Sequence, residues 1–447
     1  MKRTFSSLAR PRRTVLIAAL AAAAAATLTV ATISSAKPAA RAQGGNLTVW
    51  LSGTYAGATP GSTYRKWVDS VKARYESKYP GSKVKFVLTP INNAQFTAQI
   101  AAAFASKRVP DAMLVYSGGY TTPYMLSSLR KLNDNVSKTP GFYASQTLWD
   151  LSCLDLDCKG GKGAIYGIPN DFGTYALYYN KALFKKACVA KPPKTYKEVL
   201  AACQKFKAAG IIPLAYGDRD GYSTDNWVTY NYVSFVKTKS DITKVWKGQI
   251  KYTDPRLVRP LEDLAQFKKQ GCVNADASTH ENNDANTYFT SGKAAMVQMF
   301  PFVSGDFHRA LGAKLGISRL PVSGNGPFKN RVAGNSFHNW VIPKNAKNPD
   351  GSWEFIKLAT DRTSHSRLAQ LTGAPPTNKA ALGSATDPYA IFFRKALADA
   401  VIPVLDSVIP LKEALLYYVQ LQAAFAGKTT PQQAMENVQK GLKTLNP

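Results

Sequence analysis

Histidine is scarce in this chain: four in 447 residues, at positions 280, 308, 338 and 365. None falls in an H-E-x-x-H arrangement, and no G-x-S-x-G turn or G-x-x-x-x-G-K-[ST] loop occurs. The common sequence signatures of metalloprotease, serine-hydrolase and P-loop chemistry are therefore missing, and no catalytic residue is assigned. His280-Glu281 is a lone pair in a polar loop and reads as solvated. Asp218, Asp220 and Asp225 suggest calcium, but the glycine falls at the wrong place for an EF-hand loop and no acidic twelfth ligand follows. No metal and no cofactor is expected.

Cysteine is also sparse, with five residues at 153, 158, 188, 203 and 272. Their spacing lacks the repeated C-x2-C pattern of a zinc site. Cys153 and Cys158 share a short loop and are the first candidate pair. Cys188 is in reach of Cys203, with Cys272 as another partner, and the odd count leaves one thiol over. No cysteine precedes Cys153, which argues against a lipid-anchored cysteine near the start.

Acidic residues are outnumbered, 28 Asp and Glu against 57 Lys and Arg, for a formal charge of +29. The first 42 residues hold seven of the basic residues and no acid, so the remainder keeps about +22. Its basic residues are scattered rather than gathered into a stripe, and no nucleic-acid motif accompanies them. A solvated surface facing an anionic cell envelope accounts for the charge, and no nucleic-acid partner is expected.

Residues 1–42 read as an export signal. Lys2, Arg3, Arg10, Arg12 and Arg13 precede an uncharged Ala-rich run, Val15 to Ile33, and Ala40-Arg41-Ala42 resembles a cleavage site before Gln43. Ser34-Ser35-Ala36 is a second such site. The alternative is an uncleaved anchor, since 19 uncharged residues nearly span a bilayer. Both readings place the body outside the membrane. Arg12-Arg13 leaves a twin-arginine route open beside the general one.

The remaining length exceeds one ordinary core and suggests two lobes. Short apolar strands at 46–51, 84–88 and 111–115 alternate with helical patterns. In the first helix Tyr64, Trp67, Val68, Val71 and Tyr75 share a face. That alternation predicts an α/β lobe with a mostly parallel sheet, and ligands gather where such strands end. The strand-end candidates are Ser52, Gly53, Tyr55, Asn93, Gln95, Tyr116 and Ser117. Around Ala164 to Ala187, a turn, an extended crossing segment and a helix capped by Asn180 suit passage between lobes. Thr195 and Glu198 form a capping box for the next helix. Ile211 to Ala215 then reads as a strand, leading into a polar loop, GDRDGYSTDNW, that ends at Trp227.

Four stretches in order carry a resemblance. They are YGIPNDFGTYALYYNKALF (Tyr166 to Phe184), FTSGKAAMVQMFPF (Phe289 to Phe302), NWVIPKNAKNPDGSWEFIKLAT (Asn339 to Thr360) and LTGAPPTNKAAL (Leu371 to Leu382). Together they resemble the extracellular solute-binding proteins of carbohydrate ABC importers, the broad family that includes maltose-binding protein. The resemblance covers essentially the whole body from about residue 46.

It implies a two-lobed periplasmic-binding-protein-like fold with three inter-lobe crossings and the ligand in the cleft. The crossings would fall near Gly173-Thr174, within 320–330 and within 374–378. Lobe one would be residues 43–173 and 330–376; lobe two would be 174–329 and 377–447. The implied partners are a small-molecule carbohydrate and the membrane permease of an importer, with the binding protein a monomer.

A sugar needs flat rings and oriented polar groups. Phe302 stands where the family commonly has a stacking Trp, and Trp227 where relatives often place another ring. Asp171 is a candidate hydroxyl acceptor, and Asn335 and His338 precede the strand at Trp340. Tyr178 and Tyr179 read as packing residues. Two other classes remain as alternatives: an extracellular carbohydrate-active enzyme, whose distant carboxylates leave no local signature, and a binder of an anionic non-sugar solute.

Overall fold

The structure is a computed structural model that describes residues 44–90, 93–116, 126–149, 163–407, 409 and 411–445. The export segment, Ser117, Cys153 and Cys158 lie outside the described residues.

Strand β1 (Leu47–Leu51) pairs in parallel with β2 (Val84–Leu88) on one side and β3 (Ala112–Tyr116) on the other. Between β1 and β2 runs the helix Thr63–Lys78, whose Ser62 hydroxyl accepts the Arg65 N–H. Trp67, Val68, Val71 and Tyr75 form its buried face, as their spacing predicts.

β4 (Gly167–Thr174), β5 (Ala176–Asn180), β6 (Ile212–Ala215), β7 (Ala294–Met299), β8 (Leu315–Ser318), β9 (Val332–Val341) and β10 (Ala400–Ile402) follow in chain order. β9 is buried at every position and runs antiparallel to both β3 and β4, while β10 joins its start in parallel. The first sheet thus has the order β10-β9-β3-β1-β2, with β4 also on β9. The second has the order β6-β7-β5-β8.

A single residue, Tyr175, separates β4 in the first sheet from β5 in the second. The chain returns to the first sheet between β8 and β9. Pro375 and Pro376 lie along β4, where the Pro375 carbonyl accepts the Phe172 N–H. The helix after β5 begins at Lys181 under the Asn180 side chain, and the capping box at Thr195 and Glu198 opens the helix Tyr196–Ala208.

Two expectations are corrected. The stretch read as a polar loop becomes helical at Tyr222–Tyr232. Ten consecutive residues of it, Ser223 to Tyr232, are buried, so there is no exposed face and no amphipathic period to read. Gly221 starts it at φ +80°, and a Cβ there would lie 2.7 Å from the Tyr418 Cβ.

The second correction is the disulfide. Cys203 pairs with Cys272, not with Cys188. Cys203 lies on the buried face of its helix, whereas Cys188 is exposed and free. Among the described residues, no helix is long and apolar enough to cross a membrane.

The disulfide spans 69 residues of sequence. Chain-entropy arguments predict that Cys203→Ser lowers stability by about 2–4 kcal/mol. Thermal unfolding of wild type with and without reductant should show the same loss, while Cys203→Ser should not respond to reductant at this bond. An unchanged midpoint in the variant would contradict the pairing.

Candidate functional site

Beside the end of β3, where Tyr116 pairs with His338, β4 bulges against β9 around Asp171. The Asp171 carboxylate accepts the Tyr55 hydroxyl at 2.8 Å and the His338 backbone N–H at 3.0 Å. His338 Nδ1 is 3.0 Å from the other oxygen, and Nε2 receives the Thr54 N–H at 3.3 Å. Nε2 is thus the acceptor, which leaves Nδ1 to donate to Asp171. Asn170 donates to the Tyr55 oxygen and accepts from the Trp340 indole. The fold therefore brings Tyr55, Asp171 and His338 together, but their polar atoms satisfy one another. Ser52, fully buried, gives its hydroxyl to the Leu114 carbonyl.

Beside this knot a run of rings passes from one sheet to the other. Tyr116, at the end of β3, meets Phe337 edge-on at 4.8 Å. Phe337 contacts Phe300 at 4.9 Å, and Phe300 stacks on Phe302 at 5.2 Å and leans on Tyr175 at 5.1 Å. Gly173 makes room for this, since a Cβ there would fall 2.0 Å from the Phe337 ring.

Next to the rings lie two carboxylates that sequence reading did not assign to the site. Asp225 is held by the Thr229 hydroxyl at 3.0 Å. Asp406 accepts the Tyr418 hydroxyl at 2.8 Å and the Ser407 hydroxyl at 3.4 Å. Asn335 donates to Ser407 at 2.9 Å, and Tyr116 also bonds Ser407. Burial, with each carboxylate in the other's field, pushes the Asp225 pKa well above the ordinary range, and burial raises Asp406. The Tyr175 hydroxyl, buried and raised, lies in the fields of both.

Four buried polar atoms here have no partner: Asp225 Oδ2, Asn335 Oδ1, the Tyr175 hydroxyl and Gln298 Nε2. Buried polar groups are rarely left unpaired, so these four atoms beside the run of rings are candidate contacts for a ligand. Rings beside donors and acceptors suit a ligand with apolar faces and hydroxyl groups.

Two expected residues are elsewhere. Trp227 is 1% exposed and packs edge-on against Tyr196 and Phe267 in the core beneath the second sheet. This corrects its assignment to the cleft, because the polar residues before it belong to a buried helix rather than a loop. Gln95 is exposed on the helix Asn93–Ala105. Asp225, two residues before Trp227, was the available clue. Tyr175 and Gln298 lie in two of the stretches that carry the family resemblance but were not singled out there, while Phe337 and Asp406 come from segments with no local motif.

A mixed α/β chain with two sheets, passing from one to the other at Tyr175, has the two-lobed architecture of solute-binding proteins. Residues 57–364 match the family model described as bacterial extracellular solute-binding protein, and the chain belongs to that family. It is 27% identical over 288 residues to the sn-glycerol-3-phosphate-binding periplasmic protein UgpB of Rhizobium meliloti, covering 63% of this chain and 65% of that protein. It is 25% identical over 315 residues to UgpB of Agrobacterium fabrum, covering 68% and 70%. Among solved structures, a chitin oligosaccharide binding protein superposes with TM-score 0.77 at 20% identity, covering 90% of this chain and 99% of that one. The GacH receptor of Streptomyces glaucescens, solved unliganded and with acarbose, gives 0.72 at 20% identity, covering 90% and 98%.

The helix that carries Asp225 is set by Asp218, whose carboxylate accepts the Thr224 N–H and hydroxyl at 2.9 and 2.8 Å. Burial outweighs those bonds and pushes Asp218 up to about 7. A raised folded-state pKa means the native chain keeps a proton that the unfolded chain releases, so this stabilisation is full below about pH 4 and is lost as pH rises through about 7. The midpoint difference between wild type and Asp218→Asn should therefore shrink as pH rises from about 4 to about 8. A difference that grows with pH would contradict the assignment.

Proposed function

We propose that this protein is exported, captures a sugar or oligosaccharide between its two lobes, and delivers it to the membrane permease of an ABC importer. The observation that carries this reading is the set of unpartnered atoms, Asp225 Oδ2, Asn335 Oδ1, Tyr175 OH and Gln298 Nε2, beside a run of aromatic rings. Family membership and likeness to oligosaccharide-binding structures support it. The lobes are taken as residues 43–173 with 330–376, and 174–329 with 377–447. The crossings lie near Tyr175, between β8 and β9, and along Pro375 and Pro376 beside β4.

Ligand favours the closed arrangement because only closure brings groups of both lobes onto it. Residues 1–42 act as the export signal, the mature chain works as a monomer without a lipid-anchored cysteine, and it performs no catalysis. A phosphate-bearing cargo such as the one in the UgpB name suits the site poorly. Asp225 and Asp406 would meet its charge, and among the described residues no Lys, Arg or His forms an ion pair with either.

Thermal-shift screening of the chain from Gln43 against mono- and oligosaccharides, with glycerol phosphate included, tests this. A cognate sugar present at a hundredfold excess over its dissociation constant should stabilise the fold by about 2.7 kcal/mol and be recovered unchanged. Asn335→Ala should weaken it about tenfold, as loss of one buried hydrogen bond predicts. A shift with glycerol phosphate alone, or cleavage of the sugar, would contradict the reading.

A further inference from the structure

The body of this chain is strongly basic, yet the candidate site is acidic. Asp225 is 0% exposed and Asp406 3% exposed. The polar partners of Asp225 and Asp406 are hydroxyls and backbone groups, and among the described residues no cationic side chain pairs with either. Three buried tyrosine hydroxyls without partners, Tyr175, Tyr252 and Tyr417, lie in the field of Asp225. Glu413 adds a third carboxylate to the surroundings of Tyr252.

Rings crowd the same place. Tyr222 meets Tyr418 at 5.3 Å, and Tyr252 meets Tyr417 at 5.6 Å.

Two buried carboxylates without a counter-ion are costly, several kcal/mol per ion even after the protein relaxes. Without a cation beside the pair, burial holds a proton on Asp225; a neutral hydroxyl would fill its empty oxygen and leave that proton in place, whereas a cation would let the pair ionise. A protonated amine supplies three donors and a positive charge at once, and aromatic faces attract it further. We propose that the cargo is a saccharide bearing a protonated primary amine, whose ammonium group is received by Asp225 and Asp406 among the surrounding tyrosine rings. This rests on the saccharide reading above and narrows it.

The test is calorimetric titration of the mature protein with three tetrasaccharides of one backbone geometry: the β-1,4 glucosamine tetramer, its N-acetylated form and the β-1,4 glucose tetramer. At about pH 6.5, where the amines are protonated, the glucosamine tetramer should bind about tenfold tighter than either neutral sugar. That advantage should vanish at about pH 9.5, where the amine is neutral, a readout that needs no variant. In Asp225→Asn and in Asp406→Asn the three sugars should bind within about threefold of each other. Equal or tighter binding of the acetylated or glucose tetramer by wild type would overturn the amine assignment while leaving sugar capture intact. Failure of all three to bind would overturn the amine assignment, while sugar capture would stand or fall with the thermal-shift screen.

Discussion

The carboxylate of Asp171 fixes the geometry on which the rest depends. It sits at an irregularity where β4 leaves strict register with β9, and it is held there by Tyr55 from the segment after β1 and by His338 from β9. Breaking one side of such a buried network would leave a charged group unpaired, which is far more costly than the net gain of any single bond. The knot therefore sets where β4 points. One residue later than its end, the same chain becomes β5 of the other sheet, so the relation of the two sheets is determined from Asp171 outward.

From that passage the chemistry follows by position. Tyr175 sits at the change of sheet, with Phe300 from just after β7 on one side and Phe337 of β9 reaching it through Phe300. Gly173 is small because Phe337 occupies the space a side chain would need. The acids arrive from two further segments, the helix Tyr222–Tyr232 and the turn after β10. Rings suit flat contacts with a ligand, while the empty oxygens and hydroxyls suit directed ones. A family that transports solutes needs both, because capture must be selective and release must remain possible.

Much of the fold was legible in the sequence. The helical face of Trp67, Val68, Val71 and Tyr75, the Asn180 cap and the Thr195–Glu198 capping box all follow from local spacing, and each is present. The extended crossing around Gly173 was readable because strand-forming aromatics continue directly past a glycine. The site was only partly legible. Tyr55, Asp171, His338, Tyr116, Asn335 and Phe302 converge on one region, but the first three are engaged with each other. Asp225 and Asp406 were hidden for a physical reason: they are 181 residues apart in sequence and meet only through the tertiary fold. Trp227 misled because a helix buried on all sides, most of whose polar side chains bond to neighbouring segments, has the composition of a polar loop.

The central claim is that the unpartnered atoms between the sheets are the ligand's own contacts. A crystal structure of the mature protein with a bound saccharide tests it most directly. The account predicts sugar within hydrogen-bonding distance of Asp225 Oδ2, Asn335 Oδ1 and the Tyr175 hydroxyl, with a ring face against Phe300, Phe302 or Tyr116. A sugar bound elsewhere, with those atoms still unmatched or bridged only by water, would contradict it.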